Sequence, residues 1–253
     1  MPSSARAKNE AMTLLTLERV SKRFRQGRRE VVALDDVSLT IAPGELVAIW
    51  GVPRSGRTTL LRVAAGLECP DAGDVRFDGG PVCGEHPDGL ADGIGYAQIA
   101  LDGGGGESIL DHVAMPLLAR GIAPDVARAR AALQLERVGA SGCARLHPRD
   151  LEPTQRVRVA IAQALVSSPR LLLVDDPTRH VDLLEREAVL LLIRSIADGD
   201  VAVLMTTGEA MGVSGVDRAL TISGGVLRAE AAGEGARIVQ LHLASPSRGG
   251  PAS

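Results

Sequence analysis

Trp50-Gly51-Val52-Pro53-Arg54-Ser55-Gly56-Arg57-Thr58-Thr59 is the stretch that decides how this chain folds. It follows the spacing G-x-x-x-x-G-K-[ST] of a phosphate-cradling turn, except that Arg57 stands in the lysine position. The apolar run Leu46-Val47-Ala48-Ile49 precedes it and the periodic Leu60-Leu61-Arg62-Val63-Ala64-Ala65 follows, so the loop is expected to join a buried strand to a helix. Gly51 and Gly56 permit tight turns that aim backbone amides and a helix N-terminus at an anion. Thr58 offers a hydroxyl to Mg²⁺, and Val52, Ser55 and Thr59 complete a loop that would hold phosphates. Pro53 has no N–H to donate, and Arg54 adds bulk where backbone and phosphate would meet, so the cradle is thinned. Arg57 keeps the positive charge but replaces a compact ammonium with a planar fork, which is not an equivalent group at a crowded phosphate. Taken alone, the segment also reads as a plain strand-to-helix turn.

A second constellation lies downstream. In Leu171-Leu172-Leu173-Val174-Asp175-Asp176 a buried strand ends in two acids, at the edge where α/β sheets bind ligands. Asp175 is placed to hold Mg²⁺ and Asp176 to polarise water. By itself the pair reads equally well as an acidic cap before Pro177-Thr178. Around these two motifs the periodicity predicts strands over 14–20, 31–41, 46–50, 75–77, 95–98, 171–175 and 201–206. Helices are expected over 59–66, 156–166 and 183–197, and a helical period runs through 109–138. Strands alternating with helices predict a doubly wound α/β core, with the helical middle as a separate lobe. The ends, 1–11 and 231–253, are rich in Ser, Gly, Pro and Ala and are expected to be weakly ordered, although 237–243 could add a strand.

Composition sets wider limits. At 253 residues the chain suits one large α/β domain or two small ones. No apolar run approaches the roughly 20 residues of a membrane helix, and the polar first residues carry no signal-peptide core, so a cytoplasmic setting is expected. The net charge of −3 and a short, acid-flanked basic patch over 22–29 give no reason to expect nucleic acid as a partner. Cys69, Cys83 and Cys143 lack metal or redox spacing and are expected to be incidental or buried thiols.

The order of motifs over 12–230 resembles an ATP-binding-cassette (ABC) subunit. Leu14-Leu15-Thr16-Leu17-Glu18 with Val20-Ser21-Lys22-Arg23-Phe24 is similar to the family's opening strand and adenine-stacking loop, Phe24 taking the aromatic place. Ala33-Leu34-Asp35-Asp36-Val37-Ser38-Leu39 resembles the second strand, and Gly93-Ile94-Gly95-Tyr96-Ala97-Gln98 the segment ending in a glutamine that touches Mg²⁺ and water. Arg158-Val159-Ala160-Ile161-Ala162-Gln163-Ala164-Leu165 resembles the helix after the signature. Leu172-Leu173-Val174-Asp175-Asp176-Pro177-Thr178 is similar to the acidic strand and turn. Residues 109–118 are most similar to the subgroup that serves lipoprotein release, macrolide export and cell division. The resemblance implies a P-loop NTPase fold with a RecA-like core (about 12–98 and 157–230), an antiparallel N-terminal β subdomain and an inserted α-helical subdomain (about 99–156). It implies ATP and Mg²⁺ as cofactors, with Thr58, Gln98 and Asp175 around the metal. It further implies an integral membrane permease subunit and a second ABC subunit as partners, on the inner face of the cell membrane.

Departures from the family pattern fall on its catalytic positions. The signature, usually LSGGQ, reads Leu151-Glu152-Pro153-Thr154-Gln155. A carboxylate at Glu152 facing a partner's γ-phosphate at ~4 Å would cost on the order of 4 kcal/mol at an effective dielectric near 20, unless it turns away. Pro153 and Thr154 replace two glycines. Asp176 stands for the family's catalytic glutamate, about 1.5 Å shorter in reach, and Thr207 for the histidine that contacts the γ-phosphate. Asp182 of the interface loop and Gln98 are kept. These losses predict a chain that binds nucleotide and turns it over slowly or not at all. A non-hydrolysing structural or regulatory subunit is the other reading. The glycine run within 101–107, where the family docks its membrane partner, reads either as a tolerated loop or as weakened docking.

Overall fold

A computed structural model describes residues 13–27, 29–83, 90–99, 107–209 and 215–229. The expected tails, the possible strand at 237–243 and the glycine run over 101–106 lie outside the described residues.

The first two strands, β1 (Leu15–Gln26) and β2 (Arg29–Ile41), form a long antiparallel pair. Both run further than the apolar pattern predicts, because the hairpin tip is held by backbone pairing such as Phe24 with Val31 rather than by burial. With β4 (Ala72–Phe77) and the two-residue β5 (Gly80–Pro81) they make a four-stranded sheet in the order β2-β1-β4-β5. The second sheet has six strands. Its order is β10-β9-β3-β8-β7-β6, with β3 (Leu46–Trp50), β6 (Ile94–Ala97), β7 (Leu171–Asp175), β8 (Ala202–Thr207), β9 (Arg218–Ser223) and β10 (Val226–Ala229). The pairs β3·β8, β3·β9, β7·β8 and β6·β7 are parallel, whereas β10 returns antiparallel on β9. Strands β9 and β10 are additional to the expected set. The pair Gly224-Gly225 between two alternating runs is the sequence signal for this hairpin.

Burial of β3, β7 and β8 on both faces explains their unbroken apolar sequence. Alternate side chains go to opposite sides. Leu46, Ala48, Leu172, Val174, Val203 and Met205 pack against helices on one face. Val47, Ile49, Leu171, Leu173 and Leu204 pack on the other against helix α1 (Arg57–Ala64) and the inner face of the four-stranded sheet. Helix α1 therefore lies between the two sheets, with Leu60, Leu61 and Val63 buried.

Residues 109–138 form two helices, α2 (Ile109–Ala119) and α3 (Pro124–Arg137), rather than one helical run. Pro124 at the start of α3 suits a first helical turn, where its missing N–H is no loss. Their buried residues Ile109, Val113, Ala127, Ala131 and Leu135 join the same apolar cluster as α4 (Pro153–Leu165), α5 (Leu183–Ala197) and one face of the six-stranded sheet. Helix α1 begins two residues before the expected 59, and α4 three before the expected 156. In each case a turn residue rather than the first apolar residue sets the start: Gly56 is the cap of α1 and Glu152 that of α4.

The cysteines differ from expectation. Cys69 and Cys83 are joined by a disulfide across 14 residues, with Cα atoms 5.7 Å apart. Only Cys143 is a free thiol, buried, with its pKa raised by burial and then by the nearby charge of Glu152. The folded hairpin β4–β5 brings together two residues whose spacing matches no short motif.

Candidate functional site

Loop 51–56 connects β3 to α1 over the carboxyl ends of the parallel strands. Its backbone is tied to the strands beneath it: Gly51 N donates to Thr207 O (3.2 Å), and Gly225 N donates to Ser55 O (3.0 Å). Two positions demand glycine. A Cβ at Gly51 would lie 2.5 Å from Ile222 O, and Gly56, at φ 109°, has Ala33 O pressed against the position a Cβ would take. Arg54 adopts φ 67° in the exposed crown of the loop, a conformation that costs a non-glycine residue about 1–2 kcal/mol. The start of α1 has no acidic residue and no side-chain cap. Its amides are therefore open to an anion.

Beneath the loop, three strand-end residues, Asp175, Asp176 and Thr206, gather around two groups of α1, the Thr58 hydroxyl and the Arg57 guanidinium. Thr58 Oγ1 donates to Asp175 Oδ2 at 2.7 Å, and Thr206 Oγ1 donates to Asp175 Oδ1 at 2.5 Å. The carboxylate of Asp175 is thus clamped from both sides. Its charge also reaches Tyr96 on β6, whose hydroxyl pKa is pushed up to about 12 by burial first and by Asp175 second. Asp176 sits in the left-handed region (φ 48°), and its N–H donates to both the backbone and side-chain oxygens of Thr206, each at 3.1 Å. That backbone geometry turns its carboxylate towards Arg57, with Nη1 to Oδ2 at 3.2 Å. Both side chains are largely buried, 12% and 15% exposed. Arg57 Nη1 has no aligned hydrogen-bond acceptor, nor does buried Ser55 Oγ.

Thr207 is buried at the end of β8, but its hydroxyl is occupied within its own turn. It donates to Glu209 O and accepts from Glu209 N, both at 3.1 Å. Gln98 lies exposed just past β6. Phe24, on β1, is half-buried with Lys22 Nζ 5.5 Å from its ring centre. Lys22 and the backbone N–H of Arg23 both bond Asp71, and these bonds, the backbone one foremost, hold the Asp71 carboxyl below the usual range.

The sequence 151–155 forms a separate cluster. Glu152 caps α4: its side chain accepts from the Gln155 backbone, while Gln155 Oε1 accepts from Glu152 N at 3.0 Å, a reciprocal capping box. Thr154 is buried and bonds the carboxylate of Glu185, and Pro153 fills the first helical position. Leu151 is buried, with its carbonyl accepting from Arg156. A cleft of about 500 Å³ adjoins this cluster, lined by Gly139, Cys143, Glu152, Arg158 and Glu185. Asp182 precedes α5 as its cap residue without a side-chain capping bond. The fold brings Arg57, Thr58, Asp175, Asp176 and Thr206 together, and leaves 151–155, Asp182, Gln98 and Phe24 outside that contact group. Thr206 was not among the expected site residues. The one sign of it in the sequence is a hydroxyl in the otherwise apolar run Ala202-Val203-Leu204-Met205.

The groups present suit a magnesium-bound phosphate. No cluster of three or more His, Cys, Asp or Glu able to hold a metal exists among the described residues. A cation here would rest on one carboxylate and one hydroxyl and take its remaining oxygens from phosphate and water, the usual habit of Mg²⁺. Buried Arg57 Nη1 and the uncapped start of α1 supply the complementary donors. Residues 34–179 match the ABC transporter family.

The chain belongs to the ATP-binding-cassette family.

Within it, the chain is 38% identical over 195 residues to the lipoprotein-releasing system ATP-binding protein LolD of Chromohalobacter salexigens, covering 76% of this chain and 81% of that one. It is 34% identical over 212 residues to an uncharacterised ABC transporter ATP-binding protein of Mycobacterium tuberculosis, covering 82% of this chain. The match spans only 64% of that mycobacterial protein's length. Among solved structures, an ATP-binding cassette in a dimeric post-hydrolysis state bound to ADP and phosphate superposes with a TM-score of 0.76 at 26% identity, covering 85% of this chain and 98% of that one. The mixed α/β architecture is that of ABC cassettes, and no helix among the described residues is long and apolar enough to cross a membrane.

Proposed function

We propose that the chain is the nucleotide-binding subunit of an ABC-type membrane transport complex, one that holds Mg-ATP and hydrolyses it slowly or not at all. The observation that carries the binding half is the Asp175 carboxylate clamped between Thr58 and Thr206 directly under a loop whose glycines cannot be replaced. In this reading Gly51 to Thr59 hold the phosphates, Phe24 stacks the adenine, and Thr58, Asp175 and Gln98 surround Mg²⁺. Bound nucleotide supplies the phosphate oxygens that complete the metal's coordination.

Slow turnover has support of its own. A general base must be free to accept a proton at hydrogen-bond range. Asp176 is engaged by Arg57 at 3.2 Å and by Gly208 N at 3.3 Å, and the Thr207 hydroxyl is spent on Glu209. The partners are a second ABC subunit, met through Leu151 to Gln155 and Asp182 on the nucleotide face, and an integral membrane permease. That places the subunit on the cytoplasmic side of the cell membrane. Exposed Val52 (56%) in the loop and Leu184 (94%) after Asp182 are apolar groups that such a face would cover. A non-hydrolysing structural subunit is the second reading, favoured by the capping box that occupies the Glu152 carboxylate.

Trp50, the single tryptophan, is half-buried beside Gly51. Titration of Mg-ATP against its fluorescence is expected to saturate, with phosphate release near background. Absence of saturation refutes binding, and release matching an intact transporter ATPase refutes impaired hydrolysis.

A further inference from the structure

We infer that Cys69 and Cys83 form a reversible thiol–disulfide site, opened and closed by low-molecular-weight thiols such as glutathione, and that its closed state tightens the hold on the nucleotide base. This rests on the reading above of a cytoplasmic nucleotide-binding subunit and adds a control seated outside the phosphate site.

In the cytosol a thiol pool keeps most cysteines reduced, and the bridges that do form there are mainly transient or redox-sensing. Cys69 is exposed and Cys83 half-buried, so an external thiolate can reach the Cys69 sulfur. Exposure of that kind makes a bridge labile. The hairpin does not need the bond for its shape: β4 and β5 pair through Arg76 with Pro81 and Phe77 with Gly80, and Val82 N donates to Val75 O at 3.0 Å. Cys83 is thus fixed by the sheet, next to buried Val82. Cys69 lies on the loop between α1 and β4, and this loop is what the bridge restrains.

The loop carries an anchor for β1. Pro70, with its fixed φ, is the only residue between Cys69 and Asp71, so the sulfur and the carboxylate are stiffly joined. The pairing of β1 with β2 slips register between Val20 and Arg23, and there Asp71 takes over. Arg23 N donates to Asp71 Oδ2 at 2.6 Å and Lys22 Nζ to Oδ1 at 3.1 Å. Lys22, with 14% of its side chain exposed, stands 5.5 Å from the centre of the Phe24 ring, close enough for a cation–π contact that sets the ring's orientation. Adjacent contacts therefore run from an accessible sulfur to the ring that stacks adenine. Asp71 N also donates to Ser21 O at 2.8 Å, so opening the bridge leaves the loop attached and loosens only the aim of the carboxylate. Arg57 and Thr58 sit at the opposite end of α1, and the phosphates are untouched.

The exchange balances without metal or added oxidant. A thiolate attacks the Cys69 sulfur, the bond to Cys83 breaks, and the Cys83 thiolate leaves and takes a proton from water. A second thiolate attacks the outer sulfur of the mixed disulfide and frees Cys69. The protein disulfide is reduced to two thiols, and two small thiols are oxidised to one small disulfide; closure is the reverse.

Two measurements on the full chain test this. In glutathione buffers of graded reduced-to-oxidised ratio, alkylation after denaturation should pass reversibly from one reactive thiol to three across the ratios of the cytosol. Calorimetric titration should find Mg-ATP bound about fivefold more weakly by the reduced chain, the scale of one lost cation–π contact. Mg-tripolyphosphate, which has no base to stack, should bind both states alike. Asp71→Asn should weaken Mg-ATP binding by a similar factor while the bridge is closed, and reduction should then add little, because both act through one contact. Cys69→Ser with Cys83→Ser should match the reduced chain in every buffer. A bridge that stays closed or open throughout overturns the inference, as do equal Mg-ATP affinities in the two states, equal losses for both ligands, or additive effects of reduction and Asp71→Asn. If neither ligand binds in either state, the nucleotide-binding reading falls and takes this inference with it.

Discussion

Replacing Thr206 by valine removes one hydroxyl from a fully buried position with almost no change of shape. That hydroxyl donates to the charged Asp175 carboxylate at 2.5 Å and accepts from Asp176 N at 3.1 Å. The second bond is a shared one, because the same N–H also reaches Thr206 O at 3.1 Å and stays satisfied after substitution. The loss is therefore dominated by the bond to a charged acceptor, about 1.5–3 kcal/mol. Thr206→Ser keeps the hydroxyl and loses only a buried methyl, about 1 kcal/mol. Equilibrium urea unfolding should rank wild type above Thr206→Ser and Thr206→Val last, the valine midpoint falling by on the order of 1 M with an unchanged slope. The valine variant should also bind Mg-ATP more weakly than the serine variant, since Asp175 loses one of the two hydroxyls that clamp it. If valine proves as stable as serine, the clamp on Asp175 contributes nothing and the account of the site is wrong.

Two further outcomes follow from the geometry. Cys69→Ser with Cys83→Ser opens a 14-residue loop and should lower stability by about 3 kcal/mol on the chain-entropy account. Thiol titration of the unreduced, denatured wild type should then find Cys143 alone, and three reactive thiols there would exclude the bridge. Asp71 is held below its ordinary pKa by the Arg23 N–H and Lys22, so its contribution to stability is present above the usual carboxylate range and is lost as pH falls through the lowered folded value. Asp71→Asn should accordingly be less stable than wild type at pH 7, and the gap should close as pH drops below about 4. A gap that is constant with pH would show that the carboxylate's charge is not what holds Lys22 and Arg23.

The sequence by itself determined the alternation of buried strands and helices and the place of the phosphate loop. It also placed the acidic pair at a strand's carboxyl end, because each of these is written within a few adjacent residues. Apolar runs such as Leu171 to Val174 and the glycines at 51 and 56 state local backbone needs directly. The tertiary structure alone decided which partners those residues met. The Thr58–Asp175 bond spans 117 residues, and the Thr206–Asp175 bond 31, with no period linking them. The Cys69–Cys83 bridge depended on how the β4–β5 hairpin returned. Glu152, read as a charge that opposes a partner's γ-phosphate unless it turns away, does bend back onto its own helix, because uncapped amides two or three residues away offer it a nearer donor. Arg57 and Asp176 read singly as two defects. Only the packing of α1 over the ends of β7 and β8 made them a pair, since a buried guanidinium takes whichever anion the fold brings within range.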